Sequence, residues 1–345
     1  MRYNSLGNSG IQVSAICLGT MTFGGQNSQA EAFQQLDFAR EQGINFIDTA
    51  EMYAIPTSSK TCGDTERMIG NWLAKSGQRE NIVIASKVTG PSRIKHIRKG
   101  KARLDKANIQ AAIEGSLKRL KTDYIDLYQL HWPDRNTNFF GSLRYQHDEN
   151  SIETPIEETL YALSVQVQAG KVRTIGISNE TAWGAMKFLQ LAEQLGLSKI
   201  VSIQNPYNLL NRSFELNLAE VVHRENVSLL AYSPLAFGTL TGKYLEGQKP
   251  KNARCSLFQE YKRYFTPSSI TAIQEYDKLA QNYNLSLTEI ALAFVSQQPF
   301  VTSSIIGATS LSQLKENITF STTQLSEEIN SQLDHIHTRF TYPAP

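Results

Sequence analysis

Eight short apolar segments alternate with stretches of helical periodicity along this chain, and this alternation strongly constrains its fold. The predicted strands cover residues 15–19, 45–48, 82–87, 124–130, 172–177, 200–204, 228–232 and 303–307. Nearly all of their positions are apolar, as is typical of parallel strands that are covered on both faces. Eight such βα units predict an α/β protein with a single (β/α)8 barrel domain over residues 1–345.

An open, doubly wound sheet is the alternative to a closed barrel. It needs a glycine-rich turn after its first strand, and no GxGxxG sequence follows any predicted strand. A closed barrel brings the carboxyl ends of all its strands to one face, where the active sites of such barrels lie. We therefore expect the functional residues to follow the strands.

Several segments lie outside the repeating βα pattern. Residues 1–13 are predicted to form a small hairpin, and residues 326–340 an extra C-terminal helix. Three connections, at 88–105, 133–153 and 236–267, are long for a compact domain. Long connections of this kind are usually binding loops or lids, so we expect them to cover the site.

Two helix starts resemble capping boxes. One runs from Thr154 to Glu157 with Pro155 as the first helical residue, and the other runs from Ser286 to Glu289. Both predict that a hydroxyl side chain accepts a hydrogen bond from the backbone of the first helical turn.

The balance of charge argues against nucleic acid or anionic membrane as a partner. The chain has 34 basic and 32 acidic residues, and it has no apolar run near the roughly 20 residues that span a bilayer. Cys17, Cys62 and Cys255 fit neither a disulfide framework nor a paired-cysteine metal site. We therefore expect a cytoplasmic, metal-free chain, either an enzyme or a protein that binds a small molecule.

Polar residues are concentrated where the predicted strands end. In chain order they include Asp48, Tyr53, Lys87, His131, Ser178, Asn179, Gln204 and Tyr232. Four of them, Asp48, Tyr53, Lys87 and His131, form a coherent set for proton transfer. The ammonium of Lys87 would stabilise the Tyr53 phenolate, while the carboxylate of Asp48 would keep Lys87 charged. His131 would bind and orient a substrate oxygen.

Such a set suits protonation of an oxygen while hydride is delivered to carbon. Because proteins have no hydride donor of their own, a nicotinamide cofactor is implied. The alternative for Lys87 is a Schiff-base lysine, as in barrel aldolases. That alternative does not use Tyr53 and Asp48 in the same way, and trapping with borohydride would distinguish the two.

Seven short segments, each at a predicted strand end and in the same order, resemble the aldo/keto reductases. They are 18–24 (LGTMTFG), 48–53 (DTAEMY), 85–87 (ASK), 127–133 (LYQLHWP), 176–179 (GISN), 204–208 (QNPYN) and 231–235 (AYSPL). Four further segments are similar to the bacterial Tas-like members of that family. They are 51–53 (EMY), 211–215 (NRSFE), 238–244 (GTLTGKY) and 341–345 (TYPAP).

The resemblance implies reduction of an aldehyde or ketone to an alcohol by a nicotinamide cofactor. It makes Tyr53 the proton donor, Lys87 and Asp48 the groups that tune it, and His131 the group that orients the carbonyl. The cofactor-binding residues that it implies are Gly19, Thr20, Met21, Ser178, Asn179, Gln204, Tyr232, Ser233, Pro234, Leu235, Gly238, Leu240, Gly242, Lys243, Arg254, Gly307, Thr309, Gln313 and Asn317. Among these, Tyr232 would stack on the nicotinamide, and residues 233–244 would wrap the pyrophosphate.

The end of the last strand departs from the pattern common in the family. Many members carry a lysine or arginine there for the 2′-phosphate of NADP, and residues 307–314 contain none. Lys243 and Arg254 would supply that charge instead. Gln313, Glu316 and Asn317 share one helix face and would bind the adenine. NADP(H) is the expected cofactor and NAD(H) the alternative.

The substrate end is defined less well by the sequence. Trp132 would form one wall, and Phe139, Phe140, Tyr145 and Tyr342 are candidates for the rest. A basic run at 95–103 is expected to be a solvated loop.

The family also contains subunits that sense a cofactor with little turnover, like the β subunits of potassium channels. That regulatory role is the alternative to an enzyme. A monomer or weak oligomer is expected.

Overall fold

A computed structural model describes residues 1–344, and eight parallel strands of this range close into a barrel. A short N-terminal hairpin, β1 (Tyr3–Ser5) and β2 (Gln12–Ser14), precedes them. The barrel strands are β3 (Ile16–Gly19), β4 (Phe46–Asp48), β5 (Val83–Val88), β6 (Ile125–Leu130), β7 (Val172–Ser178), β8 (Ile200–Pro206), β9 (Ser228–Tyr232) and β10 (Val301–Ile306). Each pairs in parallel with the next, and β10 closes the barrel against β3. The predicted (β/α)8 barrel is confirmed.

Helices surround the barrel. Their bounds are α1 (Gln29–Glu41), α2 (Asp64–Ser76), α3 (Lys106–Leu120), α4 (Ile156–Gln168), α5 (Ala182–Leu195), α6 (Leu218–Arg224), α7 (Arg254–Leu257), α8 (Pro267–Asn282), α9 (Leu287–Ser296), α10 (Leu311–Phe320) and α11 (Glu327–Arg339). The last of these is the predicted C-terminal helix, with Ser326 as its N-cap. The β1–β2 pair is the predicted hairpin.

Alternation along the strands separates an apolar plug from a polar floor inside the barrel. Phe46 and Leu127 belong to the inner apolar cluster, which also contains Leu6 and Val13 of the N-terminal hairpin region. The hairpin region therefore closes the amino-terminal end of the barrel. Asp48 lies two positions after Phe46. Because successive side chains of a strand point to opposite faces, the side chains of Phe46 and Asp48 lie on the same side of β4.

The predicted capping boxes are corrected by the structure. Thr154 does not cap α4, because its hydroxyl donates to Asp134 Oδ2 at 2.7 Å and Pro155 stands at the N-cap position. Ser286 does cap α9, accepting from the backbone N–H of Glu289. The Glu289 carboxylate instead accepts from Thr323, so the box is only half formed. Ser28 forms a complete capping box at α1.

The long connections are present as predicted, with short 3-10 turns at Arg98–Gly100, Ala236–Thr241 and Leu245–Gly247. Further 3-10 turns lie at Arg79–Asn81 and Ser213–Leu216. Among residues 1–344, no helix is both long and apolar enough to cross a membrane. The last residue of the 341–345 segment lies outside the described residues.

Candidate active site

The floor of the site is an ion pair between the ends of two adjacent strands. Lys87 on β5 donates to both carboxylate oxygens of Asp48 on β4, at 2.8 and 2.7 Å, and to the backbone oxygen of Thr49 at 2.8 Å. All three ammonium protons therefore have acceptors. The Lys87 side chain is fully buried, so the pair lies in a region of low dielectric constant.

Tyr53 and His131 stand above this ion pair and line the cavity. Their rings meet edge to face with centroids 5.7 Å apart, and the Lys87 ammonium lies 5.2 Å from the Tyr53 ring centroid. The structure thus brings together the four residues predicted for proton transfer. Lys87 itself does not line the cavity within the described residues, and a Schiff base at its Nζ would have to displace the bonds to Asp48 and Thr49.

The electrostatics of Tyr53 differ from the expectation. Burial, reinforced by the negative charge of Asp48, raises the pKa of the Tyr53 phenol, and the charge of Arg254 opposes that rise. Without a ligand the site therefore keeps Tyr53 protonated. Burial, with the positive charge of Lys87 nearby, lowers the pKa of His131 well below its usual value. His131 is therefore a neutral imidazole near pH 7, and its Nδ1 has no protein partner among residues 1–344.

Hydrogen bonds connect the residues predicted to hold the nicotinamide. Gln204 Nε2 donates to Asp48 Oδ1 at 2.8 Å, and Asn179 Nδ2 donates to the backbone oxygen of His131 at 2.9 Å. The Tyr232 hydroxyl donates to Asn179 Oδ1 at 2.6 Å, and Ser178 Oγ donates to the backbone oxygen of Gln204. The ring of Tyr232 is thus tied to the same network that contains Asp48.

One large cavity of about 1130 Å³ joins these residues to the end of β10. Within the described chain, every residue predicted to bind the cofactor lines it except Leu240 and Gly242. Leu240 is fully buried and belongs to the main hydrophobic core, so its side chain packs away from the cavity. Its volume and its mixture of apolar and polar lining residues, from Tyr53 and His131 to Gln313 and Asn317, fit a dinucleotide with a small substrate at the Tyr53 end.

Two cations from the connection between β9 and α8 face the cavity. Neither Lys243 nor Arg254 forms an ion pair with any carboxylate of residues 1–344. Burial, with Arg254 nearby, lowers the pKa of Lys243. A β-carbon at Gly238 would come within 2.8 Å of Lys243 Nζ, so the ammonium lies directly against this turn, whose φ of +89° favours glycine. The ammonium of Lys243 and the guanidinium of Arg254 are both suitable hydrogen-bond donors for a phosphate.

Beyond β10, polar side chains that were predicted to bind the cofactor hydrogen-bond to neighbouring groups of the same segment. The side-chain oxygen of Gln313 accepts hydrogen bonds from the backbone N–H and the hydroxyl of Thr309, at 3.0 and 3.1 Å. Asn317 Nδ2 donates to the backbone oxygen of Gly307 at 3.3 Å. Glu316 lines the cavity with them, so the three residues predicted to bind adenine do share one wall.

Trp132 and Phe140 form the wall beside His131. The ring centroids of His131 and Trp132 are 5.0 Å apart, and those of Trp132 and Phe140 are 5.6 Å apart. The other predicted wall residues do not reach the cavity. Phe139 packs behind Phe140, Tyr145 hydrogen-bonds to His147 at the surface, and Tyr342 lies against His337.

Several contributors to the site were missed from the sequence. Gln129, two positions after Leu127 on β6, approaches Asp48 Oδ1 at 3.4 Å, and the strand alternation could have identified it. The run at 95–103 is not simply solvated, because Arg98 forms a bidentate pair with Glu51. Arg263 also lines the cavity, and no motif marked it.

Comparisons with known proteins agree with this geometry. The sequence profile of the aldo/keto reductase family matches residues 15–338. The protein named Protein tas from Escherichia coli (strain K12) is 52% identical over 100% of both chains. The uncharacterized oxidoreductase YrpG of Bacillus subtilis is 34% identical, over 100% of this chain and 97% of its own. A probable voltage-gated potassium channel subunit beta of Oryza sativa is 31% identical, over 92% of this chain and 90% of its own.

Proposed function

This chain belongs to the aldo/keto reductase family, and on that premise we propose that it reduces aldehydes or ketones to alcohols with NADPH, Tyr53 being the proton donor. The family generally uses NAD(P)H, and membership in it supports an oxidoreductase. The observation that carries the proposal is the buried Asp48–Lys87 pair beneath Tyr53 and His131, beside a cavity of about 1130 Å³ that has room for a dinucleotide.

Each residue of this group has a distinct task in the proposal. The bound cofactor supplies the hydride for the carbonyl carbon. Neutral His131 hydrogen-bonds the carbonyl oxygen and fixes its position beside Tyr53. Tyr53, which burial keeps protonated, transfers its proton to that oxygen.

Lys87 makes this proton transfer possible through its charge. Its ammonium, 5.2 Å from the Tyr53 ring, stabilises the phenolate that forms. Asp48 holds the ammonium in place with two hydrogen bonds, although its own negative charge opposes the phenolate. Asp48 therefore holds the Lys87 ammonium in position, at the cost of making the Tyr53 phenol less acidic.

The choice of NADP(H) rests on Lys243 and Arg254, which line the cavity and have no carboxylate partner among residues 1–344. Lys243 and Arg254 would bind the 2′-phosphate or the pyrophosphate, while Gln313, Glu316 and Asn317 would contact the adenine. Ser178, Asn179 and Gln204 would hydrogen-bond the carboxamide, and the Tyr232 ring would cover one face of the nicotinamide.

The direct test mixes purified protein with NADPH, or separately with NADH, and a panel of aromatic aldehydes and quinones, and follows nicotinamide absorbance. We expect oxidation of NADPH in preference to NADH. Replacement of Tyr53 by Phe should remove most of the oxidation while cofactor binding persists. Oxidation at the wild-type rate by Tyr53→Phe would remove Tyr53 as the proton donor.

A regulatory role is the second candidate, and the resemblance to the rice channel subunit favours it. In that role the same cavity would retain the cofactor with little turnover and report its state to a partner. Tight NADPH binding without oxidation of any carbonyl, together with a stable partner in pull-down experiments, would support it. In either role we propose that residues 1–345 act as one cytoplasmic domain, as a monomer or weak oligomer, with no nucleic acid partner.

A further inference from the structure

We propose that Arg263 binds a carboxylate on the carbonyl substrate, so that the preferred substrates are aldehydes or ketones that carry a carboxylate group. This inference rests on the proposed reductase function and deepens it by naming a substrate class. It assigns a specificity-determining role to one residue of the connection between α7 and α8.

Arg263 reaches the substrate end of the cavity. Its guanidinium carbon lies 5.8 Å from the ring centroid of Phe140, 5.6 Å from that of Phe237 and 6.0 Å from that of Tyr264. The phenols of Tyr232 and Tyr264 raise its pKa, against the opposing effect of burial. The charge is therefore held between the proposed nicotinamide platform and the aromatic wall.

A continuous row of aromatic rings connects this charge to the proton donor. Phe140 packs on Trp132, Trp132 lies against His131, and His131 meets Tyr53 edge to face. A carbonyl held by Tyr53 and His131 would extend its far end along the Trp132–Phe140 wall, toward the guanidinium. Planar carboxylates and guanidinium groups match in geometry and can form two parallel hydrogen bonds.

Arg263 has no carboxylate partner among residues 1–344, unlike most half-buried arginines of this chain. Six of these pair with Asp or Glu: Arg79, Arg98, Arg103, Arg119, Arg135 and Arg212. Arg40 and Arg254 likewise have no carboxylate partner in this range. Arg40 lies in the last turn of α1, where a positive charge is favourable, and Arg254 is assigned above to the cofactor phosphates. In addition, Arg263 Nη1 is buried and lacks any hydrogen-bond partner in the described chain.

An unpaired, partly desolvated guanidinium is costly, because burying a charge is compensated only by a partner or by hydrogen bonds. The rings around Arg263 offset part of this cost through cation–π attraction. They leave Nη1 without an acceptor among residues 1–344. A ligand carboxylate would supply that missing acceptor.

The position of Arg263 favours the substrate over the cofactor as the source of the anion. Lys243 lies against the Gly238 turn, where the phosphates would lie, and Arg254 is close enough to influence it electrostatically. Arg254 and Arg263 share the Phe237 ring, but Arg263 also neighbours Phe140 of the substrate wall and Tyr232. A single cation suits a carboxylate better than a phosphate monoester, which carries between about −1.5 and −2 charges at pH 7.

The test compares 4-formylbenzoate with methyl 4-formylbenzoate, two aldehydes that differ in the charged group. Because hydrogen bonds to charged groups contribute about 1.5–3 kcal/mol, Arg263→Met should lower kcat/KM for 4-formylbenzoate by about 10- to 100-fold. The methyl ester should lose much less, so that the acid-to-ester ratio of kcat/KM falls by about 10- to 100-fold. Arg263→Lys, which keeps the charge, should retain part of the preference for the acid over the ester. The matched control is Lys262→Met, at the neighbouring exposed position, which should leave that preference unchanged.

Binding measurements keep the inference separate from the proposed activity. By calorimetry, NADP⁺-loaded wild-type protein should bind 4-(hydroxymethyl)benzoate more tightly than its methyl ester, and Arg263→Met should lose that difference while its affinity for NADPH is unchanged. If no aldehyde is reduced but this difference is present, the proposed function fails and the carboxylate site stands. Equal losses for acid and ester, or a loss of NADPH affinity alone, would overturn the carboxylate site and assign Arg263 to packing or to the cofactor.

Discussion

At the floor of the barrel the ammonium of Lys87 donates all three of its protons to Asp48 and Thr49, whereas the cations of the β9–α8 connection have no carboxylate partner in the described chain. Asp48 and Lys87 lie on strands, and the charged atoms of both side chains have partners within the protein. Lys243 and Arg263 lie outside helices and strands, Arg254 begins the short helix α7, and all three line the cavity. From this contrast we infer two roles: the Asp48–Lys87 pair is preorganised for proton transfer, and the positive charges of the β9–α8 connection are available to bind anionic ligands.

The largest effect should come from breaking the floor pair. Lys87→Met leaves the Asp48 carboxylate buried and uncompensated, so we expect a loss of about 3–5 kcal/mol in the free energy of unfolding, together with loss of turnover. Urea denaturation followed by circular dichroism measures it. The matched control is Lys171→Met, which removes an exposed pair with Glu114 and should cost less than about 1 kcal/mol.

A second variant separates stability from chemistry at the same site. Asp48→Asn combined with Lys87→Met removes both charges and should recover much of the lost stability without recovering activity. If Lys87→Met alone were as stable as the Lys171→Met control, the floor would not be the preorganised ion pair described here.

A smaller, selective effect should come from the β9–α8 connection. Arg254→Met removes a charged donor from the proposed 2′-phosphate site and should weaken NADPH binding by about 10- to 100-fold, with little change for NADH. Fluorescence titration of both cofactors measures the ratio, and Lys251→Met, an exposed cation outside the cavity lining, is the control. Equal losses for NADPH and NADH would remove Arg254 from the 2′-phosphate site.

The smallest effect should appear in the pH dependence of stability. Burial, with the positive charge of Lys87 nearby, lowers the pKa of His131 in the folded protein. In the unfolded chain a histidine has a pKa of about 6.5 and takes up a proton below that pH. The contribution of His131 to stability is therefore complete above about pH 6.5 and is lost as the pH falls below it. His131→Gln should reduce the slope between about pH 6.5 and 5 by up to about 1.4 kcal/mol per pH unit.

Denaturation curves at several pH values measure that slope, with His147→Gln at an exposed site as the control variant. An unchanged slope in His131→Gln would mean that His131 is not held neutral by its surroundings.

The barrel and its floor were predictable because strand periodicity is a local signal. Each predicted strand overlaps an observed one, with ends that differ by at most two residues. Asp48, Lys87 and Gln204 come from strand ends, and a closed barrel brings such positions together whatever the intervening sequence. The hydrogen bonds from Lys87 and Gln204 to Asp48 are the outcome.

The partners of loop side chains were not predictable in the same way, because they depend on contacts distant in sequence. Thr154 matches the capping pattern, yet its hydroxyl donates to Asp134, 20 positions earlier. Arg98 stands in a basic run, yet it pairs with Glu51, 47 positions earlier. Irregular connections have no periodicity that assigns a side to each residue, which is why Arg263 went unnoticed and Leu240 was expected to face the cavity.

The most direct test of the central claim is a single-turnover experiment with NADPH-loaded wild-type protein and Tyr53→Phe. Each is mixed with excess aldehyde while nicotinamide fluorescence is followed. Since a positioned proton donor contributes about 10²- to 10⁴-fold to the rate, the variant should bind NADPH as wild type does and lose turnover by that factor. A Tyr53→Phe protein that completes its turnover at the wild-type rate would contradict the account.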